Sequence, residues 1–295
     1  MLGLAPGAWN LGLMGISQPN IEKISVRLAK DRGEVESAQH LRYKVFFEEY
    51  GAKPTPETLR ERRDFDSFDD VADHLVVVDE AIADPRSRIV GTYRLLRKEA
   101  ADKHGCFYTS GEYDIAPLLE SEAQLLELGR SCVQAEYRTR PIMQLLWQGI
   151  TDYMLDHDIG LMFGCASLPG TDIGALSKQL AYLYHYHRMP QNLRPRALDG
   201  RYVDMNLHAK EDLDARAVFN ELPPLIKGYL RVGAGIGEGA VIDEQFNTTD
   251  VCIMLDTAKL TERYRRYYSR KVNRPIPGDE NIELPEEFVV MPGTV

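Results

Sequence analysis

Apolar and polar residues alternate through ISVRLAK (24–30), the pattern of a half-buried strand. The period then lengthens. Val35, Ala38, Leu41, Val45 and Phe46 recur at helical spacing and predict a helix from about Gly33 to Tyr50. A polar, irregular stretch over 53–70 follows, and then HLVVVDEA (74–81) and RIVGTYRLL (88–96) read as two strands joined by the turn-type linker ADPRS. LLELGRSCV (125–133) is a third strand of this group. Beyond Pro141, which suits a first helical turn, Ile142, Leu145, Leu146, Ile150, Tyr153 and Met154 mark one helix face. LMFGCASL (161–168) is a short buried strand, and a helix from about Asp172 to His187 comes after it. The remainder holds RYVDMNL, a helix over PPLIKGYLRVGA, a glycine-rich turn at GAGIGEG (233–239) and the strand DVCIMLDTA. Strand–helix–two antiparallel strands–central strand–helix–strand–helix is the order of one mixed α/β domain over 23–258. It is preceded by a flexible arm (1–22), uncharged up to residue 21, and followed by a basic extension (259–295).

Composition narrows the function. The 295 residues are 44 % hydrophobic and carry a formal charge of −10, so a sizeable core is expected and a general nucleic-acid binder is not. Cys106, Cys132, Cys165 and Cys252 show no metal-ligand spacing; with Cys132 and Cys165 inside apolar runs they read as reduced thiols of a cytoplasmic protein, with no metal. The first 21 residues lack both a basic start and an unbroken apolar run, so neither an export signal nor a membrane span is expected there.

The chemistry concentrates in LLELGRSCV. In a regular strand Glu127 and Arg130 face opposite sides. A bulge at Gly129 shifts the parity and puts both on one face. A bulged central strand also splays from its neighbour, freeing backbone amides for an acyl-carrying arm and a developing oxyanion. A partly buried structural Glu–Arg pair is the alternative. Two other patterns fail on context. His74 and Asp79 match HxxxxD but sit five apart in a strand, and GAGIGEG follows a helix-like stretch rather than a strand.

The long stretches LRYKVFFEEYGA (41–52), DFDSFDDVADHLVV (64–77), VGTYRLL (90–96), LELGRSCV (126–133), YRTRPIMQLLWQGI (137–150), MFGCASLPGTD (162–172) and 222–253 resemble the lyso-ornithine lipid synthases. These are L-ornithine Nα-acyltransferases of the GNAT fold. The frame is also distantly similar to the acyl-homoserine-lactone synthases, through Arg42 and Phe46, the acids Asp64, Asp66 and Asp69, then Arg94, and the Glu127-x-x-Arg130 strand. Asp64 departs from the Glu usual at that place.

The resemblance implies a mainly antiparallel mixed sheet with splayed central strands, flanked by helices. It implies transfer of a 3-hydroxyacyl chain from acyl carrier protein to the α-amine of L-ornithine, without cofactor or metal. Glu127 is the candidate base and Arg130 its catalytic companion. Asp64, Asp66 and Asp69 would supply an acidic acceptor pocket. Arg42, Arg94 or Arg130 would hold the acceptor's carboxylate, with Phe46 beside them. Ser131, Cys132 and Val133 would line the donor arm. Where CoA-using relatives carry a glycine-rich pyrophosphate loop, this chain has EYRTRP. Arg138 and Arg140 suit the single phosphate of a carrier-bound phosphopantetheine, and Pro141 removes an amide donor. Rival readings are the same reaction on another amino acid such as glutamine, signal synthesis of the homoserine-lactone kind, or a non-catalytic hemolysin-like membrane protein. Residues 259–274 hold seven basic side chains against Glu262 alone, a patch for an acidic carrier protein or for the anionic inner face of the membrane.

Overall fold

The computed structural model describes residues 21–277; most of the expected arm (1–22), and the extension beyond 277, lie outside the described residues. Ten strands form the frame: β1 (Ile24–Leu28), β2 (Asp73–Asp79), β3 (Ile89–Arg97), β4 (Tyr113–Asp114), β5 (Gln124–Val133), β6 (Ile159–Pro169), β7 (Arg196–Ala197), β8 (Tyr202–Val203), β9 (Gly235–Asp243) and β10 (Thr248–Asp256). Their order across the sheet is β1-β2-β3-β5-β6-β10-β9-β7-β4, with β8 on β9. All neighbours are antiparallel except β5 with β6 and β7 with β9. This is the GNAT-like α/β architecture, mixed and mainly antiparallel.

The run LVVV in β2 is apolar on both faces because helices cover both. Leu75 and Val77 pack with Ile142, Leu146 and Ile150 of the Arg140–Asp156 helix. Val76 and Val78 meet Ala38, Leu41 and Val45 on the other side. Strand alternation sends neighbouring residues to opposite faces, and each fully buried Val or Leu contributes roughly 1.5–3 kcal/mol.

Two elements differ from expectation. The helix expected over 33–50 is α-helical at Arg32–Tyr43, started by Asp31 accepting from Glu34 N at 3.0 Å, and then widens to a π-helix at Lys44–Glu49. Of the glycine-rich stretch expected as a turn, Gly233 ends the preceding helix in the left-handed region (φ 106°), while Gly235 onward is strand β9. Within the strand the glycines admit neighbours: a Cβ on Gly237 would sit 2.8 Å from the Pro195 carbonyl oxygen.

The basic segment forms the helix Glu262–Val272, and its tyrosines bind it to the body. Tyr264 and Tyr268 enter the main core, and the Tyr264 hydroxyl lies 2.6 Å from Thr151 Oγ1. The boundary drawn after 258 therefore falls inside one packed unit. Among the described residues no helix is long and apolar enough to cross a membrane.

Candidate active site

Strands β5 and β6 pair in parallel only from Gln124 to Glu127, the last match being Glu127 with Phe163. One residue further on, a Cβ at Gly164 would lie 2.2 Å from the Leu128 carbonyl oxygen, so only glycine allows the strands to touch at that vertex. Past it, β5 stays with β3 and β6 stays with β10, and the two diverge. The gap is the mouth of a cavity of about 870 Å³. Glu127, Leu128, Gly129, Arg130, Ser131, Cys132 and Val133 form one wall, and Phe163 to Gly170 form the other. Leu176, Leu225 and Ile253 are among its apolar lining.

The bulge is present, one residue later than expected. Thr92 pairs with Cys132 and Arg94 with Gly129, so β5 carries one residue more than β3 in that interval. The left-handed backbone belongs to Arg130 (φ 50°), not to Gly129. A non-glycine residue in that region costs on the order of 1 kcal/mol or more and persists only where its side chain is firmly held. Here it is. The Arg130 guanidinium faces Asp66 at 3.2 Å and Asp64 at 3.4 Å, and it lies over the rings of Tyr108 (4.9 Å) and Phe246 (4.8 Å).

Glu127, 4 % exposed, lies on the cavity wall. Its carboxylate accepts from Tyr108 N (2.9 Å), Thr109 N (2.6 Å) and the Thr109 hydroxyl. Burial raises its pKa above the usual carboxylate value, although these donors pull the other way. The result is a held carboxylate that is a better base than an exposed glutamate.

The three aspartates have a different setting from the one the sequence suggests. Arg42, wholly buried, grips Asp69 with both terminal nitrogens (3.0 and 2.6 Å), and its Nε lies 2.8 Å from Asp64 Oδ2. Arg94 reaches Asp66 at 2.5 Å and Asp69 at 3.1 Å. Gln39 adds a bond of 3.0 Å to Asp69. Three arginines thus face three aspartates in one compact network. Burial alone would raise the Asp69 pKa, but Arg42 and Arg94 hold it well below the usual range. The expected acidic pocket for a cationic acceptor is therefore corrected: Asp64, Asp66 and Asp69 spend their charge on arginine, and neither they nor Arg42 lie on the cavity wall. Arg94, Arg130 and Phe46 do.

On the donor side Ser131, Cys132, Val133 and Arg138 line the mouth. Burial pushes the Cys132 thiol up to about 12, so it is no nucleophile near neutrality. Arg138 bonds to the Val133 carbonyl oxygen (2.9 Å) and to both oxygens of Glu49. Arg140 opens its helix with Pro141 in the first turn, while its side chain lies outside the described residues. His74 and Asp79 form no dyad. His74 Nε2 is 3.0 Å from the Asp69 carbonyl oxygen, and Asp79 accepts from the Tyr137 hydroxyl at 2.7 Å.

Sequence reasoning missed the loop residues Tyr108 and Thr109, which hold Glu127. It also missed a second set of acids: Glu112, Asp243 and Asp250 converge to within 4.8 Å of one another. No local motif marks any of them.

Comparison with known proteins adds the following. The family model described as "Acetyltransferase (GNAT) domain" matches residues 41–148. A protein of Rhodobacter capsulatus named "L-ornithine N(alpha)-acyltransferase" is 46 % identical over 248 residues, covering 84 % of this chain and 95 % of its own. A Brucella abortus protein of the same name is 47 % identical over 257 residues, covering 86 % and 92 %. Among solved structures, a CoA-dependent acyl-homoserine lactone synthase with SAM and isopentyl-CoA aligns over 86 % of this chain and 91 % of its own, at 16 % identity and a TM-score of 0.44.

Proposed function

The chain belongs to the L-ornithine N(alpha)-acyltransferase family and is an acyltransferase, and on that premise we propose that it moves a 3-hydroxyacyl chain from acyl carrier protein to the α-amine of L-ornithine, giving lyso-ornithine lipid. The carrying observation is the buried Glu127 carboxylate at the vertex of the β5–β6 split, on the wall of a cavity large enough for a long chain. The acceptor enters as an ammonium. Glu127, directly or through a water, takes one proton. The free amine attacks the thioester carbonyl, and β5 amides beyond the vertex steady the oxyanion. Collapse forms the amide as the C–S bond breaks, and the second proton shed by the nitrogen ends on the leaving thiolate, giving the pantetheine thiol. Arg130 holds the acceptor's carboxylate against the Tyr108 and Phe246 rings. On the donor side the single phosphate of the arm displaces Glu49 from Arg138. The exposed face Arg263, Arg266, Arg270 and Lys271 of the last helix supplies the cationic contact for an acidic carrier protein. The test is product analysis by mass spectrometry after incubation with 3-hydroxyacyl carrier protein or 3-hydroxyacyl-CoA and each amino acid in turn. Nα-acylornithine formed from the carrier thioester is expected; product from CoA alone overturns the donor, and a preference for glutamine overturns the acceptor.

A further inference from the structure

The Glu112, Asp243 and Asp250 carboxylates stand beside the cavity with very little to neutralise them. Asp243 and Asp250 line it, together with Cys165. Within the cluster Glu112 Oε2 lies 3.2 Å from Cys165 Sγ, and its other oxygen is 3.8 Å from Arg201. Asp243 Oδ1 accepts from Gln245 N and Phe246 N at the tip of the β9–β10 hairpin. Asp250 is 6 % exposed; the Ser167 and Thr248 hydroxyls and the charge of Arg130 favour its carboxylate, yet burial outweighs them and its Oδ1 has no hydrogen-bond partner within normal geometry among the described residues. Leaving a buried carboxylate oxygen unmatched is costly, and three acids within 4.8 Å repel one another. Burial and Asp250 push Glu112 up to about 7, the response of a site short of positive charge. A cation bound among the three acids relieves that repulsion where a proton otherwise would.

We propose that this cluster holds the ammonium at the far end of the acceptor's side chain, so that the acceptor is a diamino acid and the clamp decides which of its two amines is acylated. The inference rests on the functional reading above. Two contacts tie the cluster to the candidate base: the Thr109 hydroxyl donates to Glu127 and lies 3.8 Å from Cys165 Sγ, which in turn faces Glu112. An acceptor bridging the two places one amine beside Glu127 and the other among the three acids. An ammonium surrounded by carboxylates stays protonated and cannot attack a thioester. The amine beside the single base loses its proton and reacts.

The experiment compares L-ornithine with L-norvaline, which has the same carbon chain and no distal amine, in the full-length protein, its Asp250→Asn variant and its Asp243→Asn variant. The ratio of kcat/KM for ornithine to that for norvaline should fall at least tenfold in Asp250→Asn, and Nδ-acylornithine should appear among the products. Calorimetric titration with ornithine alone should show a Kd at least tenfold weaker in both variants, provided circular dichroism shows them folded. An unchanged ratio and unchanged Kd overturn the clamp while the acyltransferase reading stands. A protein that acylates no amino acid at all overturns that reading instead, and the binding titration still judges the clamp. Activity that is lost to EDTA and restored by Mg²⁺, Mn²⁺ or Ca²⁺ in the parent but not in Asp250→Asn would make the cluster a metal site, and the proposal would be wrong.

Discussion

The fold brings together two groups of three acids near the cavity, and they are unlike. Asp64, Asp66 and Asp69 meet Arg42, Arg94 and Arg130, three charges against three, so the group is balanced in charge without a cation. Glu112, Asp243 and Asp250 meet one arginine within 4 Å, Arg201 at 3.8 Å, and otherwise a thiol, hydroxyls and two backbone amides. Equal acid content therefore says nothing about which group takes a substrate. The satisfied group is scaffold: it fixes the first helix to β3 and β5 and holds Arg130 in its left-handed backbone. The unsatisfied group is where a ligand gains most.

Four measurements break or sharpen that contrast. The largest effect belongs to the paired group. Arg42→Ala leaves buried Asp64 and Asp69 facing an empty place and should cost about 3–5 kcal/mol of stability, read as a lower denaturant midpoint. A loss below about 1 kcal/mol would mean that the network is not the scaffold. Next is Glu127→Gln, which preserves size while removing the base. Turnover should fall by about 10²-fold or more with the fold intact, and near-normal turnover at neutral pH would remove Glu127 from this role.

The third concerns pH in the unpaired group. Glu112 titrates at about 7 when folded, above the ordinary carboxylate range, because of burial first and Asp250 second. The folded state thus binds this proton more tightly than the unfolded chain does. Its contribution is full below about pH 4.3 and is lost as pH rises through 7. Glu112→Gln should escape that loss, gaining on the order of 2 kcal/mol over the parent between pH 5 and 8. Urea unfolding across that range checks it, and parallel curves would show that the site's acids are already compensated. The smallest effect lies outside both groups. Changing the exposed Arg263, Arg266 and Arg270 to Glu should raise the carrier KM several-fold, and salt should bring the parent towards the variant. If the soluble assay does not move and only sedimentation with anionic vesicles does, the helix serves the lipid surface instead.

Much of this frame was legible in the chain. Alternation marked β1, apolar runs marked β2, β3 and β5, period 3.6 marked the Arg140–Asp156 helix, and a bulge between Glu127 and Arg130 was expected if both were to share a face. What was not legible followed from tertiary neighbours. Gly129 looked like the strained residue because glycine tolerates strain, yet Arg130 carries it, since two aspartates and two rings can grip an arginine. GAGIGEG resembled a turn because the atoms that crowd its glycines, such as the Pro195 carbonyl, lie far away in sequence. The second acid group is the clearest case. Glu112 and Asp250 are 138 positions apart and meet only when the 3₁₀ turn over Tyr108–Gly111 and the β9–β10 hairpin close on β6. Asp64, Asp66 and Asp69 lie within six residues and drew attention by proximity alone.

The contact of Gly164 with the Leu128 carbonyl works like the pivot of a pair of tongs. The handles, where β5 and β6 remain paired, carry Glu127; the jaws, beyond the pivot, carry Ser131 to Val133 on one side and Cys165 to Pro169 on the other. Spreading the jaws breaks no rung of the ladder between the two strands, because beyond the pivot no rung remains. The grip can therefore be refitted to a thicker or longer load by changing residues at the jaw tips, while the carboxylate in the handles stays where it is. A family built on such a hinge can diversify what it carries without relearning how to react.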